Sequence, residues 1–143
     1  MNRFWKVSPW LVRLVLLPPT VIFALIASRY LLNPIQAASA VGIAFTSPLG
    51  ITIARVGFAG FPLGCSIFTL SCLLSTQRLL TGLRFVGTMI AAALVVRVYG
   101  MIIDGTTAAN MHLVRAEIIL LVIVAIGAFV ETARLRRLQP ANA

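Results

Sequence analysis

Four long apolar stretches run along the chain, separated by short polar breaks. They extend from about Trp10 to Leu32, Ile51 to Leu74, Leu79 to Ile103 and Met111 to Ala133. Each reaches the roughly 20 residues that a helix needs to cross about 30 Å of hydrocarbon. The breaks carry turn chemistry: "TSPLG" before the second stretch, "STQR" after it, and "DGTTAAN" before the fourth. Pro18 and Pro19 remove two adjacent helix donors, which predicts a kink in the first span. Between the first two stretches lies "NPIQAASAVGIAFTSPLG", too polar and too broken to cross. Asn33 as a cap, Pro34 at the first helical position and Gly42 as a stop predict a short helix there, lying at the membrane surface. The expected fold is all-α: one integral membrane domain over residues 1–143, a bundle of four transmembrane helices with a surface helix between the first two.

Composition agrees with the pattern. With 60% hydrophobic and 10% charged residues in 143, the chain is too apolar for a soluble domain. There is no internal repeat, low-complexity tract or domain boundary. Arg3 and Lys6 before an apolar run also suit a signal peptide, but Arg13 and the double proline make a poor signal core, so an uncleaved first helix is expected.

Charge then orients the chain. Arg3 and Lys6 lie at the N-terminus, Arg78 and Arg84 flank the break between spans two and three, and Arg134, Arg136 and Arg137 follow span four. In a four-span protein these regions share one side, and basic residues mark the cytoplasmic side, so both termini are expected there. The net charge of +9 is mostly this label, which also attracts anionic lipid. Nucleic acid is not an expected partner, because no basic face interleaved with aromatics lies on a soluble surface.

The remaining charges collect in the outer half. Arg29, Arg55, Arg97, Arg115 and Glu117 lie within one to two turns of the outer helix ends, with Asp104 and His112 in the connection beside them. Arg97 and Asp104, seven residues apart, share a helix face about 10 Å apart. Arg115 and Glu117 differ by about 200° around the axis, so Glu117 is expected inside and Arg115 snorkels outward. An intramembrane charge costs a few kcal/mol unless it is paired or wet. Pairing is therefore expected between Glu117 and either Arg55 or Arg97, and between Asp104 and the arginine left over. Arg55, Arg97, Asp104 and Glu117 form the candidate ligand-binding site. Arginines outnumber acids in this layer, and guanidinium forks match phosphate and carboxylate, so an anionic head group suits it.

In the second span, Gly60 and Gly64 have the small-xxx-small spacing that permits close helix approach, and Pro62 predicts a bend between them. These glycines and Ala91 to Ala93 would leave room for a tail. Cys65 and Cys72 are about 10 Å apart on one helix, beyond disulfide reach. A lone His112 without a second ligand argues against zinc or haem, no Ser/His/Asp set can be assembled, and no cofactor is expected.

In this order, "NPIQAASAVGIAFTSPLG", "ARVGFAGFPLG", "VVRVYGMIIDG" and "VRAEI" resemble the bacterial inner-membrane family of four-helix proteins known as domain of unknown function 4345. The resemblance covers roughly Tyr30 to Ala133, with "RVGFAG" a looser glycine pairing than the family pattern. It implies four helices and a bacterial inner membrane, and it carries over no activity. A more distant likeness to the DoxX-type four-helix membrane bundles would imply quinone-linked redox partners. The leading expectation is a protein that binds an anionic lipid or amphiphile at the arginine layer. A non-catalytic accessory or assembly subunit of a larger membrane complex comes second, and a quinone-linked redox partner third.

Overall fold

A computed structural model describes the backbone of residues 3–138 and the side chains of residues 7–138. All regular structure among them is helical. The order is α1 (Arg3–Leu32), α2 (Pro34–Ser39), α3 (Pro48–Arg55), a π-helical turn (Val56–Gly60), α4 (Phe61–Leu74), α5 (Leu79–Asp104) and α6 (Ala108–Leu138). Four helical segments are long and apolar enough to span a bilayer: Val7–Leu32, Pro48–Leu74, Leu79–Asp104 and Ala108–Leu138. Large apolar side chains are exposed along all four, among them Leu14, Phe61, Val95, Val96 and Phe129. Water would penalise that surface heavily and hydrocarbon does not, so the chain is a multi-pass membrane protein.

Local chemistry sets the helix starts. Ser47 accepts from the Gly50 amide at 3.2 Å, and Pro48 takes the first helical position, where its missing N–H costs nothing. The second span thus begins one turn earlier than the apolar pattern indicates. Thr107 does the same for α6, accepting from the Asn110 amide at 3.2 Å. Asn33 precedes α2 without a side-chain cap bond, and Gly42, at φ +79°, ends the segment that follows α2. Helix α1 continues through Pro18 and Pro19. The irregularity expected at Pro62 takes the form of the π-helical turn just before it, where the Phe61 amide donates to the Val56 carbonyl.

The chain divides into two compact units. One consists of α1 up to Leu16, the end of α4 from Cys72, and all of α5 and α6; the other is Leu17–Ser71. In the first, Val12 and Leu16 of α1 and Val124 of α6 pack with Leu79, Leu83, Val86 and Ile90 of α5. The α5 residues recur every three or four positions and form one face. Gly82 sits on that face: a β-carbon there would lie 2.8 Å from the Cys72 Cβ and 3.1 Å from Leu16. Gly127 is similarly close to Leu83 at 3.3 Å. By contrast, a β-carbon added to Gly60 or Gly64 meets nothing within 4 Å. Close approach therefore occurs at Gly82 and Gly127 and not at the Gly60/Gly64 pair, because the facing of a glycine, not its spacing, decides what it meets.

In the second unit, the Ser66 hydroxyl donates to the Thr20 carbonyl at 3.0 Å, tying α4 to α1. The Tyr30 and Phe58 rings pack at 5.0 Å between centroids.

Candidate functional site

Helices α5 and α6 are joined by only Gly105 to Thr107, with Gly105 at φ +95°, where a side chain would be strained. So short a connection makes the two helices antiparallel neighbours and sets their register. Arg97 lies seven residues before the end of α5 and Glu117 nine after the start of α6, so both sit about two turns from the connection. Arg97 Nε donates to both Glu117 oxygens at 3.0 Å, and a terminal nitrogen reaches Oε1 at 2.7 Å. The fork is partly buried, with side-chain exposures of 28% and 19%.

Of the expected pairings, Glu117 takes Arg97. Asp104 is exposed at the end of α5, its carboxylate 3.7 Å from where a Gly100 β-carbon would stand, and makes no ion pair among the described residues. Arg115 and His112 are exposed. The Arg97 guanidinium thus spends Nε and one terminal nitrogen on Glu117.

A second polar cluster, at residues outside the predicted site, occupies the other end of this unit. Glu131 has none of its surface exposed, and Arg134 holds it through Nε at 2.9 Å and through a terminal nitrogen. Arg134 also donates to the Thr76 carbonyl at 3.4 Å. Arg13 donates through Nε to the Leu73 carbonyl at 3.1 Å and to the Thr76 hydroxyl at 2.8 Å. The Leu73 carbonyl belongs to the last turn of α4, where helix geometry leaves acceptors without partners. Arg13, with the Trp10 ring 5.0 Å away, thus caps α4. An acid three residues before an arginine in "ETAR" is the signal that could have found the Glu131–Arg134 pair.

Arg55 lies in the second unit, exposed and without a partner among the described residues. It lines two adjoining spaces. One is an apolar groove of 440 Å³ between α1 and the second span, walled by Ala24, Ala27, Leu31, Ala59, Gly60 and Leu63. The other is a more polar cleft bordered by Asn33 and Gln36. Small side chains on both helices open the groove, and the π-helical turn forms part of its wall. Gly60, expected to leave room for a tail, does line it; Ala91 to Ala93 belong to the first unit. Arg55 and Arg29 are the only charged residues in Leu17–Ser71.

Among the described residues no group of three or more His, Cys, Asp or Glu side chains comes together, and both cysteines are free. No known protein family, curated protein or solved structure matches the chain, so the resemblance to domain of unknown function 4345 and the likeness to DoxX-type bundles find no support.

Proposed function

We propose that this protein binds an anionic amphiphile within the membrane, with the tail in the groove between α1 and the second span and the head group at Arg55. The observation that carries this reading is Arg55 itself. An exposed guanidinium with no acid in its unit stands where an apolar groove meets a polar cleft. A lone cation at membrane depth is costly unless water or an anion accompanies it. The groove volume falls within the usual range for small-molecule sites, about 300–1,000 Å³.

In this reading the head group is held by Arg55 and not by Arg97. Arg97 and Glu117 brace the α5–α6 hairpin, and the head-group role passes to Arg55. Short α2, whose Asn33 and Gln36 edge borders the cleft, fits the membrane interface, where head groups reside. The distribution of basic residues supports an orientation with both termini cytoplasmic.

The test is native mass spectrometry of the protein extracted with its lipids. An anionic amphiphile should be retained by the parent protein and by Arg84→Gln, and lost from Arg55→Gln and from Gly60→Leu, which fills the groove where a β-carbon meets nothing. Retention in both Arg55→Gln and Gly60→Leu would refute the site. A co-purifying protein complex without bound amphiphile would instead support the accessory-subunit reading. A bound quinone, being uncharged and therefore indifferent to Arg55→Gln, would support the redox one.

A further inference from the structure

Arg29 and Arg55 border neighbouring spaces that share two walls. Asn33 and Gln36 line the cleft at Arg55, and the same two side chains line a second cleft of 290 Å³ at Arg29. Arg29 and Arg55 thus border adjoining clefts that have Asn33 and Gln36 in common. Both arginines are exposed, and neither has a hydrogen-bond or ion-pair partner among the described residues. Residues 17–71 hold no Asp, Glu or Lys, so the two positive charges are uncompensated within the unit.

Resting on the amphiphile reading above, we infer that the head group is a dianionic phosphate ester: a phosphomonoester or diphosphate lipid whose phosphate spans Arg29 and Arg55, with the Asn33 and Gln36 amides donating to its remaining oxygens. A carboxylate or phosphodiester carries one charge and satisfies one arginine. A phosphomonoester above its second ionisation, near pH 6, carries about two charges and three strong acceptors, which matches two guanidiniums and two amide donors. The apolar groove opening at Arg55 favours a lipid over free phosphate, since inorganic phosphate leaves that groove unfilled.

Phosphatidic acid and phosphatidylglycerol with identical acyl chains separate these possibilities when titrated onto the purified protein and read by native mass spectrometry. At pH 8 phosphatidic acid should bind about fivefold more tightly, the worth of one further basic residue at a lipid head group. At pH 5, where the second phosphate charge is gone, the preference should vanish. Arg29→Gln should reduce phosphatidic acid to the phosphatidylglycerol level and leave phosphatidylglycerol unchanged, whereas Arg55→Gln should weaken both. Far-ultraviolet circular dichroism confirms that each variant keeps its helices. Equal binding of the two lipids to the parent protein at pH 8, or a preference that survives Arg29→Gln, overturns the dianion and leaves the amphiphile site standing. Failure of both lipids to bind overturns the site itself. Displacement of phosphatidic acid by millimolar inorganic phosphate would overturn the assignment to a lipid.

Discussion

Glu131, fully buried, is gripped by Arg134 three residues further along α6, with Arg134 Nε 2.9 Å from Oε2. The arginine also reaches the Thr76 carbonyl, so the pair ties α6 to the connection between α4 and α5. A desolvated ion pair gives little net stability by itself. Losing one partner strands the other, and that costs about 3–5 kcal/mol.

Glu131→Ala should therefore lower the melting temperature in detergent far more than Glu117→Ala. Helix periodicity alone marks only Glu117 as an acid facing inside. The two side chains differ in what they leave behind. Arg134 is itself buried, whereas Arg97, 28% exposed, can swing its head toward water once Glu117 is gone. Equal melting of the two variants would show that Glu131 does not sit in a closed site.

Gly82→Ala places a methyl group 2.8 Å from the Cys72 β-carbon, an atom that cannot move without its helix. The expected loss is about 1–3 kcal/mol, typical of overpacking. Gly64→Ala, which meets nothing within 4 Å, should cause no loss and serves as the control. Thermal unfolding of the two variants side by side decides it, and a stable Gly82→Ala would contradict the packing of α1, α4 and α5 around that position.

Much of this architecture is legible in the sequence, for identifiable reasons. The four spans appear because hydrocarbon demands continuous apolar length, and a pattern of length survives any arrangement of neighbours. Span starts are displaced by three residues at Pro48 and Ala108 because Ser47 and Thr107 act as caps, a local signal that a hydropathy pattern overlooks. Glycine spacing misleads: Gly60 and Gly64 have the expected separation but face open space, while Gly82 faces Leu16. That distinction depends on which side of a helix meets a neighbour. The Arg97–Glu117 pair is legible within a choice of two arginines, and the short turn at Gly105 explains the choice made. Of the groove beside Arg55 only Arg55 and Gly60 are legible, because the facing wall of Ala24, Ala27 and Leu31 comes from a segment far away in sequence.

The Arg97–Glu117 fork should behave as a coupled pair. In a double-mutant cycle of Arg97→Gln and Glu117→Gln, the coupling is expected near 1 kcal/mol, modest because both side chains are partly exposed. Reversing the charges, with Arg97→Glu and Glu117→Arg together, should recover part of the stability lost in either single reversal. Strict additivity of the two neutral substitutions would mean that the fork contributes nothing to the hairpin.

Topology follows from the same contacts that close the opposite end of this unit. Arg13 bonds Leu73 and Thr76, and Arg134 bonds Thr76, so the first part of α1, the α4–α5 connection and the last turns of α6 meet at one end. Arg78, Arg136 and Arg137 belong to the same stretches of chain and Arg84 to the second turn of α5, whereas the α5–α6 connection, Gly105 to Thr107, holds no lysine or arginine. Basic residues near short connections are retained in the cytoplasm. A reporter joined behind Leu138 should therefore be active only on the cytoplasmic side, and a cysteine introduced at Thr106 should react with a membrane-impermeant thiol reagent added from outside. The two readouts test different ends of one hairpin: since α6 spans the bilayer once, they must disagree in side. External activity of the Leu138 fusion, together with protection at position 106, would invert the protein in the membrane and place the Arg55 cleft on the opposite face from the one the charge distribution assigns.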